Sequence, residues 1–434
     1  MSNPLPLDLL PLTSEVGPGG HLRVGGVDLV DLAEEFGTPV FVYDETHLRD
    51  RARQAVAAWG DGVAYAAKAF LCKAMAALVH QEGMCIDVAT GGEMAVALAA
   101  GVPAERLVLH GNNKSDPELE AALSAGVGRI VVDSFDEIDR LEQISGQVSG
   151  QISGQNGLSP PKVLARVTPG VEAHTHRYVS TGQDDSKFGF GLASGAAAEA
   201  VRRLSASAAL ALAGIHAHIG SQVFRADSFA REVEVLAPFF NRLGLPELCI
   251  GGGLGVAYVE GEAAPSISEW AGAVHRACRA AGVPEGTRVT AEPGRAVVAA
   301  AAITLYRVGT VKELAGIRTY VAVDGGMSDN PRPVLYGSGY EAFLPRAVTA
   351  DRPRAARVVG KHCESGDVIV SKARVPADLA VGDILATPVT GAYGHSMASN
   401  YNKVPRPPVV FVANGQARVV VRRETSEDLL RLDA

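Results

Sequence analysis

Gly62-Val63-Ala64-Tyr65-Ala66-Ala67-Lys68 is the stretch on which the reading of this chain turns. An uncharged run too short for a helix ends on a lysine, and helix-period apolar residues follow at once over 71–81. That is the pattern of a strand feeding a helix. A lysine closing a buried strand loses hydration, so its amine is more readily deprotonated and can capture an aldehyde as a Schiff base. The alternative is a lysine that snorkels from the strand end to water. The rest of the chain separates the two.

Similar runs recur at 85–89, 107–110, 130–133, 163–167, 212–218, 248–250 and 289–292, with helix-like stretches such as 93–100 and 229–243 among them. With 63–67 they make eight, the number that closes a (β/α)8 barrel. Polar and glycine residues gather at the carboxyl ends of these runs: Lys68, Asp87, His110, Asp133, His218, Gly251 to Gly253 and Glu292. Barrel active sites form at those ends. A doubly wound sheet is the alternative, and it has no need of eight strands.

After Arg295 the texture changes to strand-like segments at 302–311, 319–323, 357–359, 368–370, 384–387 and 409–421. An antiparallel β domain is expected over 297–434, joined by an N-terminal segment, 1–40, that holds a short amphipathic helix at 29–36. The barrel is expected over 41–296. The repeat Ile144-Ser-Gly-Gln-Val-Ser-Gly-Gln-Ile-Ser-Gly-Gln-Asn156 reads as a mobile surface loop, because it has little apolar area to offset an ordering cost of about 1 to 2 kcal/mol per residue.

Composition restricts the function. The chain has 434 residues, 47% hydrophobic, with a net charge of -8 and no block of like charges. Nucleic acid and anionic membrane are disfavoured as partners. Five cysteines lack CxxC or metal-ligand spacing, and neither a signal peptide nor a membrane span is evident. A small-molecule enzyme of a reducing cytoplasm fits.

Several groups can carry chemistry. Gly251-Gly252-Gly253 after a strand lets backbone amides approach a phosphate, though three glycines also make tight turns with no ligand. Glu292-Pro293-Gly294-Arg295 places a carboxylate where it could hold a pyridine nitrogen protonated, or could simply pair with Arg295. His216 and His218 are two apart, so on one strand face; either could stack on a planar ring, and both could be core histidines. Neither they nor His174 and His176 come with an obvious third metal ligand. Cys363, beside Glu364 in a glycine-containing loop, can donate a proton or be a buried structural thiol. Arg332 and Tyr336, four apart, share a face if the loop turns helically, and could hold a carboxylate.

Taken together, Tyr65-Ala66-Ala67-Lys68-Ala69, Asp87-Val88-Ala89-Thr90-Gly91-Gly92-Glu93, His110-Gly111-Asn112-Asn113-Lys114, His218-Ile219-Gly220-Ser221-Gln222, Glu292-Pro293-Gly294-Arg295, His362-Cys363-Glu364-Ser365-Gly366-Asp367 and Gly391-Ala392-Tyr393-Gly394 resemble the diaminopimelate decarboxylases. These are pyridoxal-phosphate enzymes of the alanine racemase and ornithine decarboxylase fold type. The resemblance spans residues 36–430. Ser186-Lys187-Phe188-Gly189, the histidines at 174 and 176, and Arg332 with Tyr336 look like this decarboxylase rather than its ornithine or arginine relatives.

The resemblance implies that Lys68 holds pyridoxal 5'-phosphate as a Schiff base, His218 stacks on its ring and Glu292 pairs with its nitrogen. Asp87, Ser221, Gly252, Gly253, Gly294, Arg295 and Tyr393 complete the cofactor-binding set. Arg295, Arg332, Tyr336, Glu364 and Tyr393 bind substrate, and Cys363 is the proton donor. It further implies a homodimer with shared active sites, in which Cys363 and Glu364 come from the partner subunit. The reaction would be decarboxylation of meso-2,6-diaminopimelate to L-lysine, the last step of lysine biosynthesis. The Ser-Gly-Gln repeat and His395, the latter near Tyr393, depart from the family pattern. A decarboxylase for ornithine, arginine or a carboxylated polyamine, a non-catalytic relative and an amino-acid racemase are the alternatives.

Overall fold

A computed structural model describes residues 4–152, 159–171 and 185–434, so His174 and His176 lie outside the described residues. The chain divides into two compact units. One comprises Ala52–Gly255 and Ala264–Gly294; the other comprises Met1–Arg51, Val256–Ala263 and Arg295–Ala434.

The first unit is a parallel barrel. Its strands are Ala64–Ala66, Cys85–Val88, Leu107–Leu109, Arg129–Val132, Lys162–Thr168, Ala211–His216, Glu247–Cys249 and Arg288–Thr290. They pair in chain order, all parallel. The ends of the sheet meet where Ala64 N donates to Ala291 O at 3.0 Å and Ala66 N to Pro293 O at 3.3 Å. The first four strands are buried at every position, which is why they are mostly apolar without alternation, Asp87 and Arg129 being the charged exceptions. Ala64, Cys85, Val108, Val131, Leu164 and Cys249 pack as one buried cluster of mostly small side chains. Burial pushes the Cys85 and Cys249 thiols up, so both serve as neutral filling. Helices between the strands begin on polar caps: Thr90 accepts from Glu93 N, and Ser115 with Glu118 and Ser266 with Glu269 form capping boxes. Such caps contribute about 1 kcal/mol each.

Two features of this unit differ from expectation. A short strand, Phe190–Gly191, pairs parallel with Lys162–Thr168. The helix Phe135–Ile152 also runs through most of the Ser-Gly-Gln repeat, which is therefore no loop up to residue 152; residues 153–156 lie outside the described residues. The physical reason is the four-residue period. It puts Ile144 and Val148 one helical turn apart, and Ile144 is buried at 5% exposure, so the repeat supplies the apolar face that its composition hid.

The second unit is built on a sheet whose order is Val368–Val375, Arg354–Val359, Arg318–Val323, Ala302–Leu314, Val40–Asp44, Val409–Ala413 and Gln416–Val421, with Ile384–Pro388 also paired to Ala302–Leu314. The sheet is mixed rather than purely antiparallel: Arg318–Val323 runs parallel to Arg354–Val359, and Val40–Asp44 parallel to Val409–Ala413. Because Val40–Asp44 is one of its strands, the N-terminal contribution to this sheet continues past residue 40. Residues 409–421 form a hairpin whose turn, Asn414-Gly415, takes φ of 52° and 74° as a tight two-residue loop requires. The helix Leu29–Phe36 starts on Asp28, whose carboxylate accepts from Val30 N and Asp31 N, and it buries Leu29, Leu32 and Ala33. Leu22 and Val24, from a separate three-stranded sheet, join the same core with Val40, Val42, Ile303 and Leu305. Among the described residues no helix is long and apolar enough to cross a membrane.

Candidate active site

At the carboxyl end of the barrel the first strand stops at Ala66, and Lys68 sits in the single 3-10 turn Ala67–Ala69. Its neighbours in the turn are buried, but Lys68 itself is exposed, so this chain does not by itself strip water from the amine as the sequence suggested. The turn swings the side chain out of the packed strand. Its positive charge acts on Asp87, Glu93 and His218.

Glu292, 7% exposed, follows the eighth strand and is gripped from two sides. His110 Nε2 lies 2.8 Å from its Oε1 and His216 Nε2 lies 3.0 Å from its Oε2, with the two imidazoles edge to face at 4.9 Å. Burial alone would raise the Glu292 carboxyl, but His110 and His216 outweigh it and hold the group well below the usual range, ionised. Burial opposes charge on His110 too, yet Asp87, 3.7 Å away, and Glu292 raise its pKa. For His216 burial wins over Glu292, and its pKa falls to about 4. Asp87 is raised, mainly by burial and against the pull of His110.

The sixth strand ends at His216, so His218 stands in the loop beyond it, not on a shared strand face. Gly252 N donates to His218 Nδ1 at 3.2 Å, which leaves Nε2 as the protonated nitrogen. Burial, then Lys68 and Arg166, hold this imidazole well below its ordinary pKa, hence neutral. The Gly252 amide thus serves the histidine. The glycines are required by crowding: a Cβ at Gly252 would lie 2.2 Å from Glu292 O, and one at Gly253, where φ is 110°, 2.0 Å from Gly220 O. Gln222, next to Ser221, takes a left-handed φ of 61°, a conformation that costs about 1 to 3 kcal/mol and collects at functional sites. Gly294 fits against Ala66, where a Cβ would come within 2.9 Å of the Ala66 Cβ.

In the second unit, Arg295 and Arg332 are both buried around Tyr258. Arg295 Nη1 donates to the Tyr258 hydroxyl at 2.7 Å, and the Arg332 guanidinium lies 4.1 Å over the Tyr258 ring. Arg332 Nη1 donates to the Tyr340 hydroxyl at 2.5 Å, Tyr258 and Tyr340 meet edge to face at 5.3 Å, and the Tyr393 ring lies 4.7 Å from the Arg295 guanidinium. Arg332 and Tyr336 bound a single helical turn, Arg332–Tyr336, as their spacing suggested; Arg332 is buried and Tyr336 half-buried. Tyr393 has a left-handed φ of 59°. His395 packs edge-on against Phe41 at 5.7 Å, and burial with Arg406 lowers its pKa to about 4.

Cys363 and Glu364 are exposed on a loop, Cys363 being the one exposed cysteine of the five. Cys363 N donates to Asn402 Oδ1 at 3.0 Å.

Sequence reasoning named Glu292 but missed both of its imidazole partners as partners, and it missed Tyr258 and Tyr340 altogether. A histidine at a strand end signals a polar pole, and nothing local says that residues 182 and 76 positions away converge on one carboxylate. Tyr258 comes from the short excursion Val256–Ala263, which belongs to the other unit and follows the glycine turn with no motif of its own.

These residues fit pyridoxal phosphate. An ionised buried carboxylate has roughly four acceptor positions; Glu292 spends two on imidazoles and keeps others for a pyridine N–H. An uncharged imidazole, a backbone bend without β-carbons and a lysine at an exposed position complete the set. His110, His216 and Glu292 also bring three possible metal-ligating atoms within 4.8 Å of one another. Their direct hydrogen bonds already satisfy the carboxylate's charge, and no metal is assigned.

Residues 45–299 match the family model described as the pyridoxal binding domain of pyridoxal-dependent decarboxylases. Fold and site therefore define a pyridoxal-phosphate-dependent decarboxylase of the barrel type. The chain is 47% identical to the diaminopimelate decarboxylase of Mycobacterium tuberculosis, covering 98% of this chain and 99% of that one, and 44% identical to that of Bacillus subtilis, covering 97% of each. The solved diaminopimelate decarboxylase of M. jannaschii in complex with L-lysine superposes with a TM-score of 0.88 at 29% identity over 98% of both chains, and the Helicobacter pylori enzyme complexed with L-lysine with 0.83 at 29% over 94% and 99%. The chain belongs to the diaminopimelate decarboxylase family.

Proposed function

We propose that this protein decarboxylates meso-diaminopimelate to L-lysine and carbon dioxide with pyridoxal phosphate bound at the barrel's carboxyl end. The observation that carries the reading is Glu292, a buried carboxylate kept ionised between His110 and His216. When bound, the cofactor supplies an electron sink for the pair left on the α-carbon by departing carbon dioxide. Glu292 holds a proton on the ring nitrogen, and the neutral His218 imidazole offers a flat, uncharged face to the ring. Lys68 carries the cofactor covalently. Asp87, Ser221, Gly252, Gly253, Gly294, Arg295 and Tyr393 make up the rest of its site.

Arg332, with Tyr336, holds the carboxylate that must not leave, and Arg295 and Tyr393 add to the grip. Support comes from the two guanidiniums already oriented by Tyr258 and Tyr340 hydroxyls, so little ordering remains for substrate binding. Glu364 meets the distal amino group, and Cys363 Sγ delivers a proton to the carbon that has lost carbon dioxide. Both sit exposed on their own subunit, which suits residues offered across a homodimer to the partner's substrate. A cytoplasmic enzyme is proposed, supported by five unpaired cysteines. The test is lysine formation from meso-diaminopimelate by protein reconstituted with pyridoxal phosphate, with borohydride reduction to fix the cofactor covalently. Lysine in the products and the label on the Lys68 peptide are expected; a label elsewhere would remove Lys68 from its role.

A further inference from the structure

Asp367 lies four residues beyond Cys363 and is 3% exposed. Its Oδ2 accepts from both His362 N and His362 Nδ1 at 2.8 Å, and its Oδ1 accepts from Met327 N at 2.7 Å. One carboxylate therefore binds two loops. The first is the Cys363 loop, which the backbone of Asp367 also closes, Gly360 N donating to Asp367 O at 3.0 Å and Asp367 N to Glu364 O at 3.1 Å. The second is the turn that begins at Gly326 and runs into the helix Arg332–Tyr336. That turn is itself fixed: Asp329 accepts from Gly326 N at 2.8 Å and from the Tyr306 hydroxyl at 2.6 Å, and Asn330 N donates to Gly326 O at 2.9 Å.

The approach of the two loops leaves no slack. A Cβ on Gly360 would lie 2.2 Å from Asp367 Oδ2 and 2.5 Å from Gly326 Cα, and Lys361 N donates to Gly325 O at 3.0 Å. His362, held by Asp367, stacks on Tyr401 at 5.7 Å with an interplanar angle of 11°, while Asn402 takes the Cys363 amide. The residue before the thiol is thus locked on two sides, and the lock is shared with the segment that carries Arg332.

We propose that Asp367 is a positioning residue for the decarboxylation, a carboxylate clamp that sets the Cys363 loop and the Arg332 turn in one fixed relation. This rests on the reading that Cys363 and Arg332 act on substrate. A residue that served only the fold would change stability alone; a clamp changes both proton delivery, seen in kcat, and carboxylate capture, seen in KM.

The test compares holoenzyme of Asp367→Asn, of Ser365→Ala as a control in the same loop, and of the unaltered protein. The readouts are kcat and KM for meso-diaminopimelate and the rate of Cys363 alkylation by iodoacetamide, followed by mass spectrometry. The amide cannot accept on both sides, so Asp367→Asn should lower kcat/KM by about tenfold or more, with kcat and KM both affected. It should also shift the alkylation rate, while Ser365→Ala leaves all three unchanged. If Asp367→Asn does not fold, His362→Phe keeps the stack on Tyr401 and removes one of the three bonds, and the alkylation rate should still shift. Wild-type kinetics together with a wild-type alkylation rate in a folded variant would overturn the proposal. If the unaltered enzyme made no lysine, the functional reading would fail instead, and the alkylation arm would still judge the clamp.

Discussion

Replacing Glu292 with Gln tests the centre of the proposed cofactor site with little change of shape. The carboxylate accepts from His110 at 2.8 Å and from His216 at 3.0 Å, one on each oxygen. An amide offers one oxygen and one NH2, so one imidazole keeps an acceptor and the other faces a donor. Losing one charge-assisted bond costs about 1.5 to 3 kcal/mol, and the survivor drops to roughly half its strength when the acceptor becomes neutral. The amide also cannot hold a proton on the pyridine nitrogen. We expect kcat to fall by about 100-fold or more, equivalent to about 2.7 kcal/mol at 1.36 kcal/mol per decade. Since Glu292 raises the His110 pKa, His110 should titrate lower in the variant. The assay is steady-state lysine formation at saturating substrate, with cofactor content measured by absorbance so that loss of loading is not mistaken for loss of rate. A fully loaded Glu292→Gln enzyme with kcat within about threefold of the parent would refute the reasoning.

Removing the guanidinium in Arg332→Ala should lower kcat/KM for meso-diaminopimelate by roughly 10- to 100-fold, because a charge-assisted contact of about 1.5 to 3 kcal/mol is lost, and should leave any turnover of ornithine almost unchanged. Parallel assays on both substrates check it. Cys363→Ala should cut kcat by about 100-fold, the scale of a lost general acid, with cofactor absorbance unaltered. Glu232 supplies a stability prediction: it is fully buried on the helix Ala226–Phe240, neither oxygen has a hydrogen-bond partner among the described residues, and burial pushes its carboxyl well above the usual value. A carboxyl raised in the folded state stabilises fully below its unfolded pKa, about 4.3, and that contribution is lost as pH rises toward the folded value. Glu232→Gln should therefore flatten the pH dependence and stabilise the protein at pH 8 by about 1 to 3 kcal/mol, read as a higher midpoint in thermal melts at pH 8 than the parent and a smaller difference at pH 5.

The barrel was legible because its strands are buried on both faces, so Ala64–Ala66 and Leu107–Leu109 stand out as short apolar runs with a polar residue, Lys68 or His110, just beyond. Pairing direction was not legible: Arg318–Val323 and Arg354–Val359 look alike whether they run parallel or antiparallel. The Ser-Gly-Gln repeat was misread because composition suggested solvent, while its four-residue spacing places Ile144 and Val148 on one helical face. Glu292 announced itself by its place after the last strand, yet the charge state that matters comes from His110 and His216, which only the closed barrel brings to it. The burial expected for Lys68 was not legible, since a 3-10 turn exposes the side chain that the strand pattern buried.

The most direct test of the account is carbon dioxide release by the pyridoxal-phosphate-loaded enzyme from meso-diaminopimelate, with L,L-diaminopimelate, ornithine and arginine in parallel. Release confined to meso-diaminopimelate, matched by an equal amount of L-lysine, is the predicted result. Faster release from ornithine or arginine, or no release from any of the four by a protein whose Lys68 carries the cofactor, would contradict it.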